Sequence, residues 1–388
     1  MLHALNSFEC RTRLLFGRGA AARLGDVAGE MGARRYLLVA DPALASVGVL
    51  GPVRASLDAA GLQGAVFEDV EPEPYLDGAD RAGAQGHAVD ADLVIGIGGG
   101  SAMDTAKAAA MLLTNEGKAQ DYIGLNLVNV PGVPTLMVPT TAGTGAEVTF
   151  TAVFTNRETK AKGGINSPFL FPNVAVLDPE LTVPLPANVT AYTGMDALTH
   201  AIESVSSRSS TVFTEALGTC AVRLIFGNAK KAVADGTDLD ARERMLMGSV
   251  LAGMALADAG VGACHALAYP LGGRYRIPHG LANAVLLPYV MDFNVEAASL
   301  SYSLLAGSMG PQFGILTPDE AAASAVEAVR DLCRAIGIPR TLAELNVPRS
   351  DIPAMVESAL TVRRPVENNP RTLGEKEATS IYERAFGA

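Results

Sequence analysis

Leu93-Val-Ile-Gly-Ile-Gly-Gly-Gly-Ser-Ala-Met-Asp-Thr-Ala-Lys107 decides the fold. An apolar run suited to a buried strand ends in Gly98, Gly99 and Gly100, and Ser101 opens a helical pattern over residues 102–113. Glycines at such a junction let backbone N–H groups approach an anion closely, and a helix N-terminus adds positive potential there. The same glycines would also serve a bare strand-to-helix turn that needs positive φ. The stretch predicts a strand–turn–helix unit and offers a cradle for the pyrophosphate of a dinucleotide.

The flanking sequence repeats the pattern. Residues 36–40, 65–67 and 93–97 read as strands, and residues 53–60 and 80–88 as helices. Alternation with near-continuous apolar strands predicts a parallel sheet covered on both faces. Apolar runs at 135–138, 148–154 and 174–177 are expected to extend it. After Asp178-Pro179 and Pro184-Leu-Pro186 the character changes. Ala/Leu-rich periodic stretches at 189–205, 214–233, 241–257, 321–336 and 376–386 carry few strand signals. The expected organisation is an α/β dinucleotide-binding domain over residues 1–185 and an all-helical domain over residues 186–388.

Asp41 ends the strand at 36–40, where a carboxylate can hydrogen-bond an adenosine ribose and repel a 2′-phosphate. An ordinary Rossmann fingerprint places that acid about 20 residues after the glycines. Here it precedes Gly98 by 57 residues. Either Asp41 only caps a loop, or the fold is a variant Rossmann-like, doubly wound sheet. Pro139-Thr-Thr-Ala-Gly-Thr-Gly145 adds a second loop of hydroxyls and glycines, able to hold phosphate or a nicotinamide amide, or simply to turn.

The 388 residues carry 30 basic and 41 acidic side chains, a net charge of −11. That balance argues against nucleic acid or an anionic membrane as the main partner, since both require a positive face. The uncharged stretch 122–146 is broken by Pro131, Pro134 and Pro139, and the stretch 245–257 is too short to span a bilayer, which takes about 20 apolar residues. Cys10, Cys220, Cys264 and Cys333 form no close pair, and no signal-type leader opens the chain. A soluble, cytoplasmic protein with reduced thiols is expected.

Only five histidines are present, so each position can be weighed. Asp196 and His200 are spaced i, i+4 and share one face of a helix. His265 and His279 follow, the latter in Pro278-His-Gly280. One carboxylate and three imidazoles would make a site suited to Fe(II) or Zn(II). Taken singly, Asp196–His200 could be a surface pair, His265 a satisfied buried histidine and His279 a loop terminus. His3 and His87 receive no role, and Cys264 reads as packing.

These residues resemble the iron-containing alcohol dehydrogenase family (group III, also called type IV). The resemblance rests on Gly98–Lys107, Pro139-Thr-Thr-Ala-Gly-Thr-Gly-Ala-Glu-Val-Thr149, Asn173–Pro179, Gly194-Met-Asp-Ala-Leu-Thr-His-Ala-Ile-Glu203 and Pro278-His-Gly-Leu-Ala-Asn283, with Phe16–Gly19 and Asn369-Pro-Arg371 near the ends. It spans essentially the whole chain. It implies the dehydroquinate synthase-like fold of that family, with its site in the cleft between the domains, and Fe(II), or else Zn(II), held by Asp196, His200, His265 and His279. It also implies NAD, favoured over NADP by Asp41, on Gly98, Gly99, Gly100, Ser101, Asp104, Thr140, Thr141, Thr144, Thr151 and Lys162. The implied activity is hydride transfer between a small alcohol or aldehyde and nicotinamide, the metal polarising the substrate oxygen, in a homo-oligomer of two or more subunits.

Many members carry a histidine four residues after the third metal ligand, which helps pass the substrate proton to solvent. Here that position is Tyr269, a poorer base at neutral pH because a phenol ordinarily ionises near ~10. Arg274 and Arg276 could bind an acidic group on the substrate, or form ordinary salt bridges. Glycerol dehydrogenases, maleylacetate reductases and dehydroquinate synthase share the two-domain plan. The Asp-x-x-x-His pair and Pro-His-Gly favour the alcohol dehydrogenase branch, and the complete quartet argues against an inert dinucleotide-binding or filament protein.

Overall fold

The computed structural model describes residues 7–158 and 162–387, so His3 lies outside the described residues. The chain divides into two compact units. One runs from Cys10 to Pro184, and the other starts at Leu185 and takes in the described residues up to Glu9. Phe8 stacks on Phe213 at 5.7 Å between ring centroids, which ties this short N-terminal stretch to the helical unit.

Among the described residues the first unit holds nine strands: Arg13–Phe16 (β1), Arg35–Ala40 (β2), Gln63–Phe67 (β3), Leu93–Gly98 (β4), Gly124–Leu125 (β5), Thr135–Pro139 (β6), Thr151–Thr155 (β7), Lys162–Asn166 (β8) and Val174–Leu177 (β9). Six of them form a parallel sheet in the order β1-β9-β6-β4-β2-β3. Side chains alternate across it. Leu38, Ile95, Ile97 and Val138 pack with Leu24, Val53 and Leu57 on one face. Leu37, Val39, Val94 and Met137 pack with Met103, Ala106 and Ala109 on the other. Each large aliphatic buried this way contributes about 2 kcal/mol, which is why these strands are apolar throughout.

From β2 the chain turns to β3 on one side, and from β4 it continues to β6 on the opposite side. The junction between β2 and β4 is therefore the topological switch point, where such sheets open a crevice at the carboxyl ends of their strands. Ala40 pairs with Ile97 in register. Asp41 and Gly98, 57 residues apart in sequence, thus emerge side by side. β1 is an additional edge strand with no sequence expectation behind it.

The run at 148–154 does not extend this sheet. It supplies β7, which pairs antiparallel with β8 in a separate three-stranded sheet of order β5-β8-β7. The near neighbour β8 satisfies its backbone, and the Val153 N–H donates to Asp104 Oδ2 at 2.9 Å. The second unit is helical, with long helices Ala187–Ser206, Val212–Ala234, Leu239–Ala259, Ala263–Tyr275, His279–Asn294 and Pro318–Ala335. No single helix among the described residues is long and apolar enough to cross a membrane.

Helix Gly100–Leu112 carries a buried charge cluster into the first unit. Lys107 Nζ donates to Thr151 O at 2.9 Å and Thr149 Oγ1 at 3.3 Å, and lies 3.7 Å from Asp104 Oδ1. Burial lowers the Lys107 pKa, while Asp104 and Glu147 act to raise it. Desolvation pushes the Asp104 carboxyl up to about 6, against the opposing pull of Lys107. Desolvation likewise lifts Glu147 from 4.5 to about 7. Its Oε1 is buried and accepts no hydrogen bond from the described residues. A carboxyl raised this way supports the fold fully below its ordinary pKa and loses that contribution as pH rises through about 7. Glu147→Gln is therefore expected to stabilise the protein at pH 8.5, by on the order of 3 kcal/mol. The gain should narrow as pH falls toward 5, read by calorimetric unfolding midpoints at both pH values. A pH-independent difference would contradict this account.

Candidate functional site

Two constructions stand out, one in each unit. In the first, β4 ends at Gly98, whose φ of +143° is open to glycine and strained for other residues. A Cβ there would meet Ala102 Cβ at 2.9 Å and Asp41 Cβ at 3.1 Å. Gly99 caps helix Gly100–Leu112, and a Cβ on Gly100 would meet Thr144 Cγ2 at 2.9 Å. The Thr140 N–H donates to Gly98 O at 2.9 Å, and a Cβ on Gly99 would lie 3.6 Å from Thr141 Cγ2. The glycine run, Asp41 and the 140–144 loop thus meet at the switch point. Free helix N–H groups facing a glycine-walled space fit a dinucleotide pyrophosphate.

The remaining residues expected at this site have definite partners. Asp41 Oδ1 accepts from the Ala43 N–H at 2.9 Å, so the carboxylate also caps its own turn. Ser101 O accepts from Thr105 Oγ1 at 2.8 Å. Thr151 Oγ1 donates to Asn166 Oδ1 at 2.9 Å, inside the small sheet. Lys162, largely buried, forms an ion pair with Glu73. Its charge also acts on Asp104, drawing that carboxyl pKa downward against the larger rise from burial.

In the helical unit, Asp196, His200, His265 and His279 come together. One ligand atom from each lies within 4.8 Å of all the others. Asp196 and His200 occupy one face of helix Ala187–Ser206, as their spacing predicts. His265 sits in the first turn of Ala263–Tyr275, and His279 is the first residue of the helix His279–Asn294. Gly280 makes the last approach possible: a Cβ there would come 2.3 Å from Tyr192 O and 3.2 Å from Asp196 Cβ.

The rings of His200 and His265 stack at 4.7 Å, and those of His265 and His279 lie 5.3 Å apart. Burial alone would raise the Asp196 pKa. The three imidazoles and the Asn283 amide outweigh it and hold the carboxyl below its ordinary value. A buried carboxylate facing three ring nitrogens is a donor set for a borderline divalent cation such as Fe(II) or Zn(II).

Two residues around the quartet have no counterpart in the sequence reading. Glu203 Oε2 lies 2.5 Å from His265 Nδ1. Asn283 Nδ2 donates to Asp196 Oδ1 at 2.8 Å and lies 3.1 Å from His265 Nε2 and 3.3 Å from His279 Nε2. Both had a signal in the spacing. Glu203 falls seven residues after Asp196 on the same helical face, and Asn283 falls four after His279.

Tyr269 stacks beside His279 with centroids 6.0 Å apart. Arg274 donates to Ala354 O at 3.3 Å, and Arg276 caps its helix in a left-handed conformation. Both arginines are exposed. His87 lies 3.2 Å from Leu112 O, in a packing role.

A dinucleotide cradle at a switch point and a buried carboxylate–imidazole donor set are the equipment of a metal-dependent, nicotinamide-linked oxidoreductase. Residues 11–179 match the family model "Iron-containing alcohol dehydrogenase", and residues 190–386 match "Fe-containing alcohol dehydrogenase family, C-terminal". The long-chain-alcohol dehydrogenase 1 of Geobacillus thermodenitrificans is 39% identical over 373 residues, 95% of this chain and 94% of that protein. The crystal structure of a 1,3-propanediol oxidoreductase superposes with a TM-score of 0.96 at 38% identity, covering 99% of this chain and all of that one. A sulfoacetaldehyde reductase from Bifidobacterium kashiwanohense, solved in complex with NAD+, gives a TM-score of 0.89 at 30% identity, covering 98% and 99%. The chain belongs to the iron-containing alcohol dehydrogenase family, and its cofactors are a nicotinamide dinucleotide and a metal ion.

Gly98→Ala places a methyl group against Ala102 and Asp41 at a strained φ. It should weaken NADH binding by about tenfold or more, measured by fluorescence titration, with metal content unchanged. NADH affinity equal to that of the parent would contradict the cradle.

Proposed function

We propose that the chain interconverts a small primary alcohol and its aldehyde with NAD(H), using Asp196, His200, His265 and His279 as metal ligands. The observation that carries this reading is the convergence of four ligand atoms within 4.8 Å from three separate helices. The ion supplies Lewis-acid polarisation of the substrate oxygen, and the dinucleotide carries the hydride. The protein's own residues do the holding. Gly98, Gly99, Gly100 and Ser101 seat the pyrophosphate, with Thr140, Thr141 and Thr144 alongside. Asp41 receives the adenosine ribose and disfavours a 2′-phosphate. Asp104, Thr151 and Lys162 support the remainder of the dinucleotide. Tyr269, beside His279, is the residue through which the substrate proton leaves or enters.

Residues 10–184 act as the dinucleotide-binding domain and the helical unit as the metal domain. The protein works in the cytoplasm as a homo-oligomer. Free thiols at all four cysteines and the strongly exposed Leu300 and Ile315 support this placement.

His265→Ala is expected to lose bound metal and turnover together, measured by elemental analysis and by NADH absorbance at ~340 nm with a panel of aldehydes. The panel should include an acidic aldehyde, given Arg274 and Arg276. Full turnover in a demetallated preparation would overturn the assignment. Asp41→Ala should relax the preference for NAD over NADP, read as the ratio of kcat/KM values. An unchanged ratio would remove the role given to Asp41.

A further inference from the structure

We infer that Glu203 is a positioning residue for the metal centre: it fixes the tautomer and orientation of His265, so that the Nε2 lone pair is presented to the ion. This rests on the metal reading above. Glu203 is 5% exposed, and both of its oxygens are committed. Oε1 accepts from the Cys264 N–H at 2.7 Å, and Oε2 faces His265 Nδ1 at 2.5 Å. A carboxylate only accepts, so Nδ1 carries the proton, and in the neutral ring Nε2 is then the nitrogen with the free lone pair, facing the Asn283 amide at 3.1 Å. Nε2 lies on the quartet side of the ring, 4.0 Å from Asp196 Oδ1.

The arrangement is built by the local sequence. Glu203 lies on the face of helix Ala187–Ser206 that also carries Asp196 and His200. Gly262, just before the His265 helix, lets the carboxylate tuck beneath its first turn, since a Cβ there would approach Oε1 to 3.1 Å. A competing role must be separated. By accepting from Cys264, Glu203 also caps this helix, as Asn369 Oδ1 does for the Ala263 N–H at 3.2 Å.

Glu203→Gln distinguishes the two roles. A glutamine offers one acceptor oxygen, and its NH2 must face either Cys264 N–H or His265 Nδ1. If it faces Nδ1, the ring proton moves to Nε2 and the ligand is lost. If it faces Cys264, two donors collide at the helix start.

The experiment uses the full-length apoprotein titrated anaerobically with Fe(II), and in parallel with Zn(II), against a competing chelator. Wild type, Glu203→Gln, Glu203→Ala, Asn369→Ala and Asp196→Ala are compared, with the unfolding midpoint of each apoprotein as control. Both Glu203 variants should bind metal about 10- to 100-fold more weakly, while the lost cap lowers their apoprotein midpoints, as the lost cap and amide bonds lower that of Asn369→Ala. Asn369→Ala, which removes the neighbouring cap together with the paired amide bonds to Asn294 and the donation to Arg371 O but leaves Glu203 in place, should bind metal as wild type does. The positioning role is overturned if Glu203→Gln keeps wild-type affinity, if Asn369→Ala weakens binding equally, or if affinity across the variants simply follows the apoprotein midpoint. If wild type takes up no metal, or Asp196→Ala binds as tightly, the metal reading itself fails.

Discussion

His279 meets Asp196 only because residue 280 has no side chain. At 2.3 Å from a hypothetical Cβ, the Tyr192 carbonyl leaves no room for even a methyl group. Helix packing at ordinary interaxial distances would hold the first turn of one helix away from the middle of the other. The glycine removes that spacing, and the first residue of the later helix reaches the ligand group. The same constraint governs the glycine loop after β4, where a Cβ on Gly98 or Gly100 would come within 3 Å of a neighbouring side chain. Both chemical centres are thus set by close backbone approach before any functional side chain is considered.

Electrostatics then separates the two centres. Around Asp196, ring nitrogens and an amide surround one carboxylate and hold it ionised despite burial. Around Lys107, two carboxyls share one ammonium, and both are driven toward the neutral form. The first arrangement sets one ionised carboxylate among ring nitrogens, a donor set for a cation. The second joins helix Gly100–Leu112 to the small sheet, because Lys107 and Asp104 bond directly to β7. Burying unbalanced charge destabilises a fold, and here it accompanies the fixing of a segment beside the glycine loop.

Much of this was legible in the sequence, for physical reasons. The strand at β4 and its glycines announced themselves because a doubly covered parallel strand must be apolar and a strand-to-helix turn at an anion site must be small. Asp196 and His200 were readable because helical periodicity fixes which residues share a face. Asp41 was ambiguous in sequence order, and the adjacency of β2 and β4 resolves its place beside Gly98. Other features were not legible. β1 is short and partly exposed, so it lacks the apolar run that marks its neighbours. The run at 148–154 looked like a strand and is one, but periodicity carries no information about which sheet accepts it. Glu203 and Asn283 carry ordinary helical polar spacing, and only the packing of three helices shows that their polar atoms face the same group of ligands.

The central claim is that the metal quartet and the dinucleotide cradle serve one hydride transfer. The most direct test incubates the metal-loaded enzyme with NAD+ and a primary alcohol deuterated at its carbinol carbon, then follows the label by mass spectrometry. The account predicts one deuteron per turnover on the nicotinamide ring of NADH, with transfer abolished when the same preparation is stripped of metal and restored when metal is returned. Label transfer at an undiminished rate in the stripped protein, or NADH formed without the label, would contradict it.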